Sequence, residues 1–446
     1  MTTTNSHVIT CKGIVSWGKG EPLKVEEIQV EPPKSNEVQV KMLYASVCRT
    51  DLLFANGFPI PAFPRVMEGV TGLREGDLVI PAYIADCKTC ETCMSEKTNL
   101  CLKYPLSYNG LLQDGSSRMS IRGQIAYHAF SCSTWCQYLV INVNFLLKID
   151  PKTPLPDASF LSCGFSTGYG ATWKEAMVQN GSSVVVFGLG AAIKGAKIHG
   201  AIKVIGIDNN PMKAAKGRAF GMTDFINPGE SDKSIAELVK DLTAGMGIDY
   251  SFECTGVPPL INEAIQSTKL GTGKIIQMGV EEPNVNINII GLLIGRTLKG
   301  SIFGGLKAKT DLPIIYSKCK NREIQLDELL SHEIKLEEVN KVFELLKQPD
   351  CVKILIKILS LLLMFATNKA MPCLNCCFLF LFFSKLKLTL VCISLKIFIF
   401  CFRSLNSFTK IVFLHVISLN KGNLNFKILK MEMLKSPIFI GHFFKR

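Results

Sequence analysis

Hydrophobic and polar positions follow two rhythms along the first 358 residues. Between residues 8 and 150 short apolar stretches are punctuated by turn residues. Val38-Gln-Val-Lys-Met-Leu-Tyr44 largely alternates and predicts a strand with one face buried; Gly76-Asp-Leu-Val-Ile-Pro81 predicts a turn into a strand, and Cys136-Gln-Tyr-Leu-Val-Ile141 another. From 165 to 302 the pattern changes. Ser183-Val-Val-Val-Phe-Gly188 is a continuous apolar run, a helical period follows, and Lys203-Val-Ile-Gly-Ile-Asp208 is a second run. Continuous apolar strands alternating with helices predict a parallel, doubly wound α/β sheet. No internal repeat is evident.

Beyond Ile358 both rhythms stop. The stretch 359–446 has no sustained helical or alternating period and few turn residues; it is rich in Phe, Leu and Ile. It also carries most of the charge. The whole chain of 446 residues has a formal net charge of +13, but the tail holds twelve Lys or Arg against one acid, Glu432, leaving +2 for residues 1–358. The globular part is thus nearly neutral, and no nucleic-acid partner is expected. A membrane span needs about 20 predominantly apolar residues. The longest unbroken apolar run, Cys376 to Phe383, is too short, and Lys385, Lys387 and Lys396 interrupt the residues after it. The tail reads as the translation of AT-rich non-coding sequence, outside the fold. Met1 to Gly13 lacks a basic start and an apolar run, so a cytoplasmic protein with reduced thiols is expected.

Two motifs carry chemistry. Cys87-x2-Cys90-x2-Cys93-x7-Cys101 places four thiolates at close spacing, which suits a tetrahedral zinc ion with no position open to substrate. Such a site is structural; a redox cluster or an iron–sulfur centre is the alternative. Phe187-Gly188-Leu189-Gly190 follows an apolar strand, and Asp208 closes the next. Glycines there let the turn approach a pyrophosphate, the helix N-terminus offers amide donors, and the acid about 20 residues on suits the ribose 2′-OH of NAD. Gly-x-Gly alone is a weak signal, and Ile193 stands where a third glycine belongs.

Cys48-Arg49-Thr50-Asp51, the cysteine cluster, Leu161-Ser-Cys163-Gly-Phe-Ser-Thr-Gly168, Gly188-Leu-Gly190 and Phe252-Glu-Cys-Thr-Gly256 occur in that order. In this the chain resembles the zinc-containing medium-chain alcohol dehydrogenases, with most likeness to their plant branch, over about residues 8–358. The resemblance implies a GroES-like β-barrel catalytic domain (1–164, with a structural zinc lobe at 87–101), a Rossmann NAD-binding domain (165–302) and a C-terminal part of the catalytic domain (303–358). It also implies a homodimer formed through the Rossmann sheets and a small alcohol or aldehyde as substrate. By the same resemblance Cys48 and Cys163 match two ligands of a catalytic zinc and Thr50 the hydroxyl that takes the alcohol proton. Arg49 matches a pyrophosphate contact, Thr167 a nicotinamide-side contact, and Asp208 with Lys213 the adenosine-ribose contacts. Thr255, Phe303 and Lys353 match further cofactor-contacting positions.

The chain departs from the family where the third zinc ligand belongs. That ligand is a histidine in a Gly-His-Glu motif, yet here Phe63-Pro-Arg-Val66 runs straight into Met67-Glu-Gly-Val-Thr-Gly, which matches a segment further on. The histidine is deleted together with a barrel strand, leaving Asp51 without the partner it would orient. Glu68 is the one nearby carboxylate, which zinc accepts, but it belongs to the downstream segment. Of the remaining histidines, His128 and His199 read as structural. The helix after Gly190 is also about one turn short of the family pattern, and Leu53 stands where some members have a histidine. The sequence therefore predicts either an NAD-dependent alcohol dehydrogenase or an inactive relative that keeps NAD and the structural zinc.

Overall fold

The computed structural model describes residues 7–66, 76–326, 329–348 and 350–358, together with the backbone of strands at 413–420 and 423–430. The chain divides into two compact units, Met1–Thr367 and Asn368–Arg446.

In the first unit, β1 (Ile9–Ser16) and β2 (Lys24–Val30) pair antiparallel from Ile9 opposite Val30 to Val15 opposite Lys24. The sequence expects one strand over Val38–Tyr44; the structure has two, β3 (Glu37–Lys41) and β4 (Tyr44–Ser46). Their break at Met42–Leu43 is where the chain passes between sheets, since Met42 N–H donates to Gln137 O at 2.9 Å while Leu43 O accepts from Ile358 N at 3.0 Å. Helix α1 (Arg49–Ala55), β5 (Arg65–Val66) and β6 (Leu78–Pro81) come next, then the short α2 (Glu91–Met94) in the cysteine lobe. β7 (Met119–Ile121), β8 (Gln124–Ile125) and β9 (Tyr127–His128) complete a six-stranded sheet of order β8-β7-β2-β1-β5-β9. β10 (Tyr138–Asn142) pairs with β3 and β11 (Leu146–Ile149) with β6. This is the GroES-like barrel. Residues 67–75, which contain Glu68 and adjoin the place where the sequence predicts the histidine to be missing, lie outside the described residues.

Helices α3 (Leu155–Leu161) and α4 (Gly164–Gly170) lead into the second layer system. There β12 (Ser183–Phe187), α5 (Ala191–Ile198), β13 (Lys203–Ile207), α6 (Ala214–Ala219), β14 (Asp224–Ile226), α7 (Ile235–Asp241), β15 (Tyr250–Glu253), α8 (Leu260–Gln266), β16 (Lys274–Gln277), α9 (Ile289–Leu293) and β17 (Thr297–Gly300) alternate. The six strands form one parallel sheet of order β14-β13-β12-β15-β16-β17. Both faces are covered, which explains the continuous apolar runs. Val184 and Val186 pack with Ala192 and Ile193 of α5, whereas Val185 and Phe187 pack with Val239 of α7 and Ile261 and Ile265 of α8. The chain then returns through α10 (Ala308–Lys320), β18 (Leu330–Lys335), α11 (Val342–Leu345) and β19 (Lys353–Lys357), with β19 pairing to β4.

Within the second unit, β20 (Phe413–Asn420) and β21 (Asn423–Lys430) form an antiparallel hairpin. The tail as a whole has no sustained period, yet Asn423-Leu-Asn-Phe-Lys-Ile428 alternates polar and apolar residues, a run confined to the length of one strand.

Candidate functional site

The four-cysteine lobe is the first centre. Cys90 caps α2, Cys93 lies within it, and Cys87 and Cys101 flank it, so that all four Sγ atoms lie within 4.8 Å of one another. Cys90 and Cys101 Sγ are 3.8 Å apart, and no pair is joined in a disulfide. Zinc–sulfur bonds of about 2.3 Å at a tetrahedral ion put sulfurs about 3.8 Å apart. The donor set fits zinc. Thr92 Oγ1, 3.4 Å from Cys90 Sγ, lowers that thiol to about 5, while burial raises Cys93.

The second centre joins two helix N-termini. Cys48 precedes α1 and Cys163 precedes α4, and their Sγ atoms stand 3.5 Å apart. Thr50 Oγ1 is 3.5 Å from Cys48 Sγ, and Asp51 Oδ2 accepts the Cys48 N–H at 2.7 Å. The neighbouring Cys163 holds the Cys48 thiol well below its ordinary value against the effect of burial, with Lys353 and Thr50 assisting. Burial, with the Cys48 charge, raises the Asp51 carboxyl. Lys353 Nζ donates to Val47 O at 2.8 Å. It also lies against Gly164, where a Cβ would come within 2.5 Å of that nitrogen. The ammonium therefore touches the residue next to each cysteine. Two sulfurs at this spacing suit two corners of a metal site, but a catalytic zinc takes three protein ligands. Among the described residues the four-cysteine cluster is the only group of three or more metal-ligating side chains. The second centre, as described, does not complete the ligand set. His128 lies elsewhere, fully buried with Nε2 3.1 Å from Ser117 Oγ, and His199 Nδ1 is 2.7 Å from Gly195 O.

The dinucleotide turn sits at the carboxyl ends of β12 and β15, where the strand order reverses and open α/β sheets bind ligands. Gly188 has φ +84°, which favours glycine, and nothing lies within 4 Å of a Cβ placed on Gly190. Asp208 is bound by Lys213 Nζ at 3.0 Å and by Asn210 N at 3.0 Å. Glu253, fully buried, accepts Thr255 N, Gly256 N and Gln277 Nε2 at 2.9, 2.9 and 2.7 Å, joining the ends of β15 and β16. Thr167 Oγ1 is buried with no hydrogen-bond partner. An open turn, a carboxylate at the next strand end and an orphaned hydroxyl fit a dinucleotide.

Between α1 and the loop after β16 lies an open cleft of about 580 Å³, lined by Leu52, Leu53, Phe58 and Pro59 with Lys19, Arg49 and Glu281. Arg49 does not stand free: its guanidinium is ion-paired with Glu281 across this cleft. Sequence reasoning missed Glu281, Glu253 and the Lys353–Val47 contact. Glu253 was visible only as part of the Phe-Glu-Cys-Thr-Gly motif.

Residues 34–151 match the alcohol dehydrogenase GroES-like domain and residues 188–317 the zinc-binding dehydrogenase domain. Fold and site thus define a zinc-binding dehydrogenase. The CYP enzymes assisting alcohol dehydrogenase of Catharanthus roseus is 55% identical over 372 residues, covering 78% of this chain and 99% of that protein. Alcohol dehydrogenase 1 of Artemisia annua is 55% identical over 370 residues, covering 78% and 98%. An alcohol dehydrogenase zinc-binding domain protein from Burkholderia ambifaria superposes with a TM-score of 0.71 at 25% identity, covering 79% of this chain and all of that one. The chain belongs to the zinc-containing medium-chain alcohol dehydrogenase family, in its plant branch, and is an alcohol dehydrogenase-like oxidoreductase.

Proposed function

We propose that this chain binds NAD and one structural zinc ion, and that its alcohol-oxidising centre is short of one ligand, so that turnover is lost or strongly reduced. The observation that carries this reading is the Cys48–Cys163 pair without a third ligand among the described residues. The relatives support it. An alignment of 372 positions that draws on only 78% of a 446-residue chain contains more positions than this chain supplies.

NAD, when bound, supplies the hydride acceptor for an alcohol. In this reading Gly188 and Gly190 let the backbone approach its pyrophosphate, Asp208 and Lys213 hold the adenosine ribose, and Arg49 pairs with phosphate. Thr167, Thr255 and the backbone at Phe303 face the nicotinamide side. Thr50, beside Cys48, takes the alcohol proton, and Lys353, at a position that matches a cofactor contact, also supports both cysteine turns through Val47 and Gly164.

A homodimer is supported by the edge strand β17 and the exposed Ile289, Ile290 and Leu293 on α9. A cytoplasmic location is part of the same reading; no helix among the described residues is long and apolar enough to cross a membrane. The second reading, an active dehydrogenase of small alcohols and aldehydes, is favoured by the 55% identity to alcohol dehydrogenases along nearly their whole length. Metal analysis with an ethanol–NAD assay separates the two. One zinc per chain with NAD binding and no NADH formation supports the proposal. Two zinc ions with NADH formation overturn it. Reinserting Gly-His-Glu after Val66 is expected to restore the second metal.

A further inference from the structure

The segment 302–307 leaves the end of β17 and carries the chain from the parallel sheet back to the catalytic domain. Phe303 and Gly304 are buried in it. Gly304 has φ +65°, and a Cβ there would lie 2.3 Å from Thr167 O, so this backbone is pressed directly on α4. The Phe303 ring packs edge-on to Tyr83 at 5.3 Å.

The other side of the segment is held by the four-cysteine lobe. Asn99, 7% exposed, donates from Nδ2 to Ile302 O at 2.8 Å and to Leu306 O at 3.1 Å. These two carbonyls bracket the turn that contains Phe303. In the reverse direction Lys307 Nζ donates to Cys93 O at 2.7 Å and to Ser95 O. Donor and acceptors in the lobe all lie between Cys93 and Cys101, two of the four sulfur ligands. That stretch exposes Met94 and Leu100 and so has little apolar packing of its own to order it. A metal bound by its flanking cysteines supplies that order instead.

We propose that Asn99 is a positioning residue that transmits the order of the metal-loaded lobe to segment 302–307, and thereby sets the affinity for the dinucleotide. The inference rests on the NAD reading above. Removing the amide leaves the buried Leu306 carbonyl and the part-buried Ile302 carbonyl without this donor, and the turn that presses on the Thr167 helix loses its brace.

The test compares the metal-loaded full chain with Asn99→Ala and with Leu112→Ala, a buried residue outside the 87–101 lobe whose backbone hydrogen bonds run to Gly115 and Ser116. NAD dissociation constants, the thiolate-to-metal absorbance of the cadmium-loaded protein, and hydrogen exchange of amides 303–307 are measured together. Asn99→Ala is expected to keep the cadmium–thiolate band, weaken NAD about tenfold and speed exchange at 303–307, while Leu112→Ala lowers stability and leaves both readouts at wild-type values. Unchanged NAD affinity in Asn99→Ala, or an equal loss in Leu112→Ala, overturns the proposal. If the wild-type chain binds no NAD, the NAD reading has failed and exchange decides alone. Faster exchange in Asn99→Ala then supports the brace, and unchanged exchange removes it.

Discussion

Cys48 and Cys163 are 115 residues apart in the chain, and their Sγ atoms meet at 3.5 Å. Each lies just before a helix, and the Lys353 ammonium rests between the residues that adjoin them. The proposed alcohol-oxidising centre is built on this pair, and its activity turns on whether the pair has a third partner.

The two cysteine centres should separate by substitution. Cys48→Ser is expected to leave the zinc content at one per chain, whereas Cys90→Ser should abolish it and lower the melting temperature, because the lobe has little apolar packing of its own to order it. Atomic emission and a thermal melt on the same samples check this. Loss of zinc in Cys48→Ser would place the metal in the wrong centre.

Glu281 competes for the cation assigned to the cofactor. Arg49 is 61% exposed and Glu281 30%, so their pair is weak, as solvent-screened pairs are. Glu281→Gln should therefore tighten NAD only about two- to fivefold. The gain should vanish in an Arg49→Gln background, which titration calorimetry on the four proteins would read directly.

His128 should make the fold acid-sensitive. Burial first, then the nearby charges of Arg118 and Arg65, lower it from 6.5 to about 3. Above pH 6.5 it is neutral in both states and costs nothing. As pH falls below that value the unfolded chain takes up a proton that the folded one refuses, so stability drops by about 1.4 kcal/mol per pH unit until about pH 3. Urea midpoints at pH 7.5 and 5.0 should show a larger loss in the wild type than in His128→Gln, where His199, also lowered by burial, contributes the remainder. Asp114, held low mainly by Arg118, adds its own loss at more acid pH and is common to both proteins.

The exposed apolar face of α9 should carry subunit association. Ile290→Lys with Leu293→Lys is expected to give a monomer in sedimentation analysis, with secondary structure by circular dichroism preserved because neither side chain is in the core. A wild-type chain that already sediments as a monomer would remove the proposal.

Much of this was legible before any fold was known. β12 and β13 announce themselves because strands buried on both faces need apolar residues at every position. The cysteine lobe does so because its ligands lie within a short stretch of chain. Val38–Tyr44 misled because alternation records which side is buried, not which sheet a strand joins. The tail's +11 likewise belongs to a stretch that the family relationship does not include.

The sequence by itself determined the ligand types, their local spacing and the order of motifs, since these are fixed by covalent connection over a few residues. It could not determine that Asn99 reaches Ile302, that Glu281 takes Arg49, or that Lys353 braces Val47, partners 203, 232 and 306 residues apart. Only the tertiary structure decided those. A donor's choice of acceptor depends on which surfaces the packed barrel and sheet bring within hydrogen-bond distance, and no local pattern encodes that.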